Sequence, residues 1–162
     1  MHEFEGYRNR PYLCSASIWT VGWGHAMYPD QLRLPYARKE GYTGLLRQDY
    51  KLKDEDNRVW SKPELEEIFK SDLLVFERGV LRLAPNLSGN QGLFDACVAL
   101  AYNIGVGGFQ RSTLRQRILR DESLERIAEG FMMYTKGGGR ELPGLVRRRK
   151  AEVRLFLPDG GA

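Results

Sequence analysis

The sequence predicts an α+β protein that is mainly helical, and three stretches of the chain carry this prediction. Residues 12–28 combine β-branched and aromatic residues with glycines, which is typical of short strands joined by tight bends. Residues 62–84 place apolar residues at steps of three and four, which indicates a long amphipathic helix. Residues 90–103 are apolar nearly all round, which predicts a buried helix.

The composition limits the classes of protein and partner. A chain of 162 residues fits one domain, with room for two lobes that share a cleft. Hydrophobic residues make up 42% and charged residues 28%, which excludes a mostly disordered chain. The net charge of +4 favours a polyanionic partner, such as nucleic acid, an anionic membrane or an anionic wall polymer. A soluble surface with a few extra arginines explains the same charge.

The two cysteines, Cys14 and Cys97, are too few for a disulfide framework. Cys97 lies in an apolar helical run and is expected to be a small core residue. The sequence has no apolar stretch of about eighteen residues that would cross a membrane, and no recognisable secretory leader.

The first sixty residues are predicted to be mostly non-helical. Residues 1–10 have the composition of a helix end, broken by Gly6 and Pro11. Because this helix would start abruptly at Met1, we expect the natural protein to have a further segment upstream. After the strands of 12–28, residues 29–60 are polar and rich in proline and glycine. They predict an irregular excursion with about one short strand or helical turn.

The helices that follow have clear boundary signals. Ser61 to Glu64 form a capping box with a proline in the first turn, and Pro85 ends the helix. The remaining predictions are a helix over 90–103 ended by Gly105 to Gly108, a helix capped by Ser112 and running through Arg120, a helix over 122–135, a flexible loop at 136–140, and a last helix from Pro143 through Leu157.

Three reactive side chains stand in a fixed order near the start of the chain. Glu5 is followed by eight residues and Cys14, then by five residues and Thr20. Partial desolvation between Phe4 and Tyr7 would raise the Glu5 pKa and make it an acid near neutral pH. An acid facing a polar group across a gap that holds water is the arrangement for inverting glycoside hydrolysis. The alternatives are a surface glutamate, a small buried cysteine and an ordinary strand threonine.

The same segment resembles the active-site region of the bacteriophage lysozymes of glycoside hydrolase family 24. Their signature is Glu, eight residues, Asp or Cys, five residues and Thr, and this chain matches the Cys version. The resemblance covers nearly the whole chain, with residues 29–60 longer than expected and the weakest match. Further matching segments are Asn90-Gln91, Phe94-Asp95-Ala96, Ala101-Tyr102-Asn103-Ile104-Gly105, Phe109, Ser112-Thr113-Leu114 and residues 142–152.

The resemblance implies a lysozyme-like fold in one catalytic domain over 1–162. A small β-containing lobe of about 12–60 would be joined by a connecting helix of about 62–84 to a helical lobe of about 86–157. It also implies residue roles. Glu5 matches the general acid, Cys14 the family's Asp or Cys, and Thr20 the catalytic threonine. The residues that match the sugar-contacting wall are Tyr102, Asn103 and Ser112. His25 matches a histidine beside the site, and it is more simply explained as a structural hydrogen-bonding residue.

The implied function is that of an endolysin, which hydrolyses the β-1,4 bond between N-acetylmuramic acid and N-acetylglucosamine in peptidoglycan. We expect a monomer that uses no metal or cofactor, because no His, Cys and carboxylate cluster has ligand spacing. Nucleic acid is not an expected partner, since no aromatic residue lies among the arginines of the last helix. We expect the protein to stay in the host cytoplasm until it is released to the wall. The competing classes are a wall-binding module without catalysis and a membrane-active antibacterial protein.

Two features leave the mechanism and the partners open. Attack by the Cys14 sulfur would give a thioglycoside with poor turnover, so we expect Cys14 to orient or deprotonate water and the anomeric centre to invert. The last helix carries Arg147, Arg148, Arg149, Lys150 and Arg154. These side chains either steer the protein to an anionic outer membrane or wall polymer, or form a solvated face that binds carboxylates such as Glu152.

Overall fold

The computed structural model describes residues 7–159 and shows an α+β fold that is mainly helical, as predicted. The elements are β1 (Arg8–Leu13), β2 (Trp19–Gly22), β3 (His25–Ala26), α1 (Pro29–Leu32), α2 (Lys62–Leu83), α3 (Gln91–Ile104), α4 (Val106–Gln110), α5 (Thr113–Leu119), α6 (Leu124–Phe131), β4 (Lys136–Gly137), β5 (Arg140–Glu141) and α7 (Pro143–Arg154), with 3₁₀ turns at Arg47–Asp49, Asp54–Asp56 and Pro85–Gly89. The chain divides into two compact units, one up to Asp72 and one from Leu73, so the boundary lies within α2.

A three-stranded antiparallel sheet forms the centre of the first unit, in the order β1-β2-β3. Thr20 pairs with Tyr12 on β1 and with Ala26 on β3. The predicted helix end at 1–10 is wrong for residues 8–10, which belong to β1, because pairing with β2 outweighs a weak helical propensity. Residues 1–6 of that prediction lie outside the described residues, and Tyr7 is in neither a helix nor a strand. Pro11 is tolerated because β1 is an edge strand.

The excursion at 29–60 is irregular, as predicted, but it contains one four-residue helix and two 3₁₀ turns, more than the one short element expected. Polar side chains order it. The Tyr28 hydroxyl donates to Asp56 at 2.6 Å, and the Trp60 indole N–H donates to the Asp56 carbonyl at 3.0 Å. Gln31, on α1, is completely buried and makes three hydrogen bonds to backbone groups. These bonds replace the apolar core that such a polar segment lacks.

Long helix α2 begins where the capping signal predicts. The Glu64 N–H donates to the Ser61 hydroxyl at 3.3 Å, and the helix ends at Leu83, shortly before Pro85. Its apolar stripe includes Leu65 and Phe69, which are buried in the first unit.

Helix α3 forms the buried centre of the second unit, as its apolar sequence predicts. Six of its side chains are buried, and it packs against α4 and α7. The Asn90 side chain caps it by accepting from the Leu93 N–H at 3.0 Å. Gly105 ends it at φ +86°, a conformation that favours glycine. The glycine-rich segment then continues as α4, a short helix that the sequence did not indicate.

The later elements partly correct the predictions. Helix α5 follows the Ser112 cap as expected, whereas α6 and α7 are shorter than predicted. The flexible loop predicted at 136–140 is wrong, because β4 and β5 pair there as a hairpin. Gly138 and Gly139 both have positive φ, at +61° and +83°, which is the requirement of a two-residue type I′ turn.

Among residues 7–159, no helix combines the length and the apolar character needed to cross a membrane.

The contact of α3 with the end of α7 gives a test of the packing. A Cβ added at Gly92 would overlap the Leu155 backbone carbonyl, which cannot move as a side chain can. Gly92→Ala should therefore lower the free energy of unfolding by about 1–3 kcal/mol, although alanine favours a helix intrinsically. Chemical denaturation measures this change. Gly89→Ala is the control, because its added Cβ meets no atom within 4 Å and stability should hardly change. Equal stability of the two variants would contradict the packing.

Candidate active site

Cys14 and Thr20 are brought together by the loop that joins β1 to β2. The Cys14 N–H donates to the Ile18 carbonyl at 3.1 Å, and the Ser17 N–H donates to the Cys14 carbonyl at 2.9 Å. Ser17 adopts φ +59°, which lets five residues reverse the chain. The loop therefore fixes the Cys14 side chain, half-buried, at the end of the sheet.

Thr20 lies on β2 and is 4% exposed. Its hydroxyl donates to the Ile18 carbonyl at 2.8 Å and also lies within hydrogen-bond range of the Cys14 sulfur. A hydroxyl has one proton but two acceptor lone pairs. While its proton bonds Ile18, the Thr20 oxygen can still accept from water.

The surroundings of Cys14 favour its thiolate. Burial acts to raise the pKa of the thiol, but the backbone N–H groups of Ile18 and Ala16 bond the sulfur and, together with the nearby Thr20 hydroxyl, outweigh the effect of burial. The net result is a Cys14 pKa below its ordinary value. A larger thiolate fraction near neutral pH makes Cys14 able to accept a proton.

Cys97 provides the contrast. It is fully buried on α3, which confirms its prediction as a core residue. Burial raises its pKa strongly, and the negative charge of Glu152 adds to the effect. The chain therefore holds one thiol suited to chemistry and one that is inert.

His25 lies on β3, and its Nδ1 is 2.7 Å from the Asp72 carboxylate on α2. Both side chains are partly exposed, at 31% and 25%. In the neutral ring this contact places the proton on Nδ1 and leaves Nε2 as an acceptor. Sequence reasoning expected a hydrogen-bonding histidine but missed Asp72, which looks like any polar position of an amphipathic helix.

Two of the predicted sugar-contacting residues lie at the end of α3 in the second unit. The Tyr102 ring packs against Phe76, with centroids 5.1 Å apart. The Asn103 side-chain oxygen accepts from Arg149 at 3.1 Å. This bond orients the amide of Asn103, an exposed residue, so that its NH₂ group faces away from the guanidinium.

Ser112 has a structural role in the second unit. It is 3% exposed, its hydroxyl donates to the Phe109 carbonyl at 2.7 Å, and it accepts from the Arg115 N–H at 3.0 Å. These bonds make Ser112 the N-cap of α5. Its contact with sugar stays a prediction.

Arg149 binds Glu152, as one of the two interpretations of the last helix expected, but it is buried and does not belong to a solvated face. Its side chain is completely buried and forms a two-pronged ion pair with Glu152, at 2.8 and 3.0 Å. A buried charge requires such a partner. The sequence contained a signal for this, since Arg149, Glu152, Val153 and Phe156 recur at the spacing of a core-facing stripe.

Two further residues complete the account of the site. Gln31 was missed because a single glutamine in a polar segment carries no pattern. Glu5, the predicted acid, lies outside the described residues. Within residues 7–159, no three His, Cys, Asp or Glu side chains are grouped to hold a metal.

Comparison with protein families decides the relationship of this chain. The family model described as phage lysozyme matches residues 2–152. The chain belongs to the phage lysozyme family. Its relatives within phages include the endolysin of Bacillus phage B103, which is 30% identical over 159 residues, covering 95% of this chain and 49% of that protein. The endolysin of Acyrthosiphon pisum secondary endosymbiont phage 1 is 28% identical, covering 94% of this chain and 89% of its own.

The chain also shares its fold with solved structures. The muramidase domain of SpmX from Asticaccaulis excentricus superposes with a TM-score of 0.68 at 23% identity, covering 96% of this chain and 90% of that one. The active form of P1 phage endolysin Lyz gives 0.68 at 19% identity, covering 98% and 80%. The lysozyme-like fold class is thereby confirmed.

The chain spans about half the length of the Bacillus phage B103 endolysin, and 38% of the Bacillus phage PZA endolysin in a match of 35% identity over 99 residues.

The difference between the two cysteines of this chain can be measured by alkylation. We expect iodoacetamide to modify Cys14 alone in the folded protein. The rate should rise with pH through a midpoint below that of the same cysteine in the unfolded chain, because the loop favours the thiolate. Mass spectrometry of peptides identifies the site. Cys97 is the internal control and should react only after unfolding. A Cys14 midpoint at or above that of the unfolded chain would refute the description of the loop.

Because the pKa of Cys14 is lowered by folding, ionisation of this thiol stabilises the folded protein. The thiolate contribution of Cys14 is fully present above the unfolded pKa and is lost as the pH falls through the folded one.

Proposed function

We propose that this chain is the catalytic part of an endolysin that hydrolyses the β-1,4 bond between N-acetylmuramic acid and N-acetylglucosamine in peptidoglycan. The observation that carries the proposal is the convergence of Cys14 and Thr20 on the Ile18 peptide, in a loop that favours a thiolate. Membership of the phage lysozyme family and endolysins among its relatives support the reaction class.

In the proposed mechanism Glu5 donates a proton to the leaving glycosidic oxygen. Thr20 holds the attacking water through its free lone pairs, and the Cys14 thiolate takes the proton of that water as it attacks the anomeric carbon. The anomeric centre inverts, and no bond forms between sulfur and sugar. The water supplies the hydroxyl of the new reducing end, so atoms balance without a cofactor.

Substrate binding is proposed for the aromatic face of Tyr102, the oriented amide of Asn103, and Ser112 and His25. Tyr102 would stack on a sugar ring, and the Asn103 NH₂ group would donate to an N-acetyl or hydroxyl oxygen. His25 would contribute through its Nε2 lone pair. Ser112 has the weakest support, because its hydroxyl already caps α5.

We further propose that the protein acts as a monomer at the cell wall after release from the host cytoplasm. A basic surface on α7 supports attraction to an anionic wall or outer-membrane polymer. Its residues Arg147, Lys150 and Arg154 are exposed, lie on one helical face, and make no ion pair within the described part of the chain. A groove of about 480 Å³ runs along it.

The reaction is tested by substitutions at the acid and the base. Glu5→Gln and Cys14→Ala should each reduce clearing of permeabilised cells by roughly a hundredfold or more, because each removes a proton-transfer group. Cys14→Asp should restore much of the activity, since a carboxylate is ionised at neutral pH and accepts the same N–H bonds. That variant should also resist iodoacetamide. Turbidity and analysis of product ends by mass spectrometry and NMR are the measurements.

The control is Glu67→Gln, which removes an exposed carboxylate on α2 and should leave activity unchanged. Full lysis by Glu5→Gln would identify a membrane-active protein, and wall binding without new product ends would identify a binding module. Either result, or products of retained configuration, would refute the proposed reaction.

The basic surface is tested by charge removal. The triple variant Arg147→Gln, Lys150→Gln and Arg154→Gln should weaken binding to purified walls by about tenfold at low salt, with less effect at high salt. A co-sedimentation assay measures the bound fraction. The control removes the same charge from exposed residues of the first unit, as Lys39→Gln, Lys51→Gln and Lys62→Gln. Equal losses in both variants would show a net-charge effect and refute a specific surface.

A further inference from the structure

Gln31 is an unusual residue at the candidate site because its buried amide bonds only backbone groups. It is 0% exposed. Its Oε1 accepts from the Trp19 N–H at 2.9 Å, and its Nε2 donates to the carbonyls of Ser17 at 3.1 Å and Arg47 at 3.0 Å. Carbonyls only accept and an amide N–H only donates, so this orientation of the side chain is fixed by its partners.

The peptide groups bonded by Gln31 are the same ones that hold the reactive side chains. The Ser17 carbonyl and the Ile18 N–H belong to one peptide group, and that N–H bonds the Cys14 sulfur. The Ile18 carbonyl and the Trp19 N–H belong to the next group. That carbonyl accepts from the Cys14 N–H at 3.1 Å and from the Thr20 hydroxyl at 2.8 Å.

We propose that Gln31 is a positioning residue, which holds the two peptide groups on either side of Ile18 and through them orients both Cys14 and Thr20. The Gln31 side chain bonds the Ser17 carbonyl of one group and the Trp19 N–H of the other. The remaining polar atoms of the two groups, the Ile18 N–H and the Ile18 carbonyl, bond the reactive residues. A peptide group is rigid and planar, so fixing one of its polar atoms fixes the other. Hydrogen bonds in a chain also polarise one another, which makes the Ile18 N–H a better donor to sulfur.

The third bond of Gln31 connects this loop to the excursion at 29–60. The carbonyl of Arg47 receives the second N–H of the amide, and the Arg47 side chain in turn donates to the Leu34 carbonyl at 3.0 Å. The excursion thus has a role in the site although it supplies none of the proposed reacting groups. It supplies Gln31 and the Arg47 carbonyl, which accepts from the Gln31 amide and holds its orientation.

The inference rests on the proposed role of Cys14, but the loop can be tested apart from it. Gln31→Met keeps the length of the side chain and removes all three hydrogen bonds. The iodoacetamide reaction of Cys14 at pH 7 should slow by about threefold to tenfold, and its midpoint should move to higher pH. Circular dichroism and thermal melting establish that the variant is folded at the temperature of the assay.

Tyr28→Phe is the matched control. It removes the bonds of another buried polar side chain of the same unit, to Asp56 at 2.6 Å and the Lys53 N–H at 3.2 Å, without touching the loop. It should lower the melting temperature and leave the Cys14 midpoint in place. If Gln31→Met leaves the midpoint in place as well, or if both variants move it equally, Gln31 is not a positioning residue.

A measurement on the unaltered protein covers the case in which Gln31→Met does not fold. In a pH titration by ¹⁵N NMR, the Gln31 side-chain NH₂ signals should follow the ionisation of Cys14, and this response should vanish in Cys14→Ser. Signals that ignore the thiol would overturn the inference. Lysis is read separately: a shifted midpoint with undiminished lysis would support Gln31 as a positioning residue and refute the proposed catalytic use of Cys14.

Discussion

The buried amide of Gln31 is the constraint on which the first unit depends. A polar group without water must find partners, and here all three are backbone groups from two separate segments. The loop between β1 and β2 and the excursion at 29–60 therefore hold their conformations together. Without this amide, a carbonyl and an N–H beside Ile18 would be left unsatisfied in the interior, at a cost of about 1–3 kcal/mol each.

In the second unit the buried polar group is charged, and its partner carries the opposite charge. Arg149 is buried, and Glu152 neutralises it while Asn103 takes a further N–H. The buried pair contributes little net stability compared with an apolar core, but it has one favourable geometry. That geometry fixes the amide of Asn103 at the end of α3. In both units, then, a buried polar side chain orients a residue that family resemblance assigns to the site.

The two thiols show how environment, and not residue type, decides chemistry. Cys14 and Cys97 are both at least partly buried, and burial alone would raise both pKa values. Only Cys14 lies where backbone N–H groups converge on the sulfur, and those donors reverse the effect. A hairpin loop with one residue at positive φ supplies the donors, so local backbone conformation becomes a property of the reactive group.

The sequence by itself determined the fold class, the long helix α2, the buried helix α3 and the spacing of Glu5, Cys14 and Thr20. Apolar periodicity, capping residues and motif spacing are local signals, so the structure that they predict does not depend on distant parts of the chain. Tertiary structure decided what depends on distant partners: strand pairing that converts residues 8–10 from helix to β1, pairing of β4 with β5, and the contact of His25 with Asp72. It also decided the environment of the Cys14 sulfur, because the N–H groups of Ile18 and Ala16 reach the sulfur only when the loop between β1 and β2 has folded.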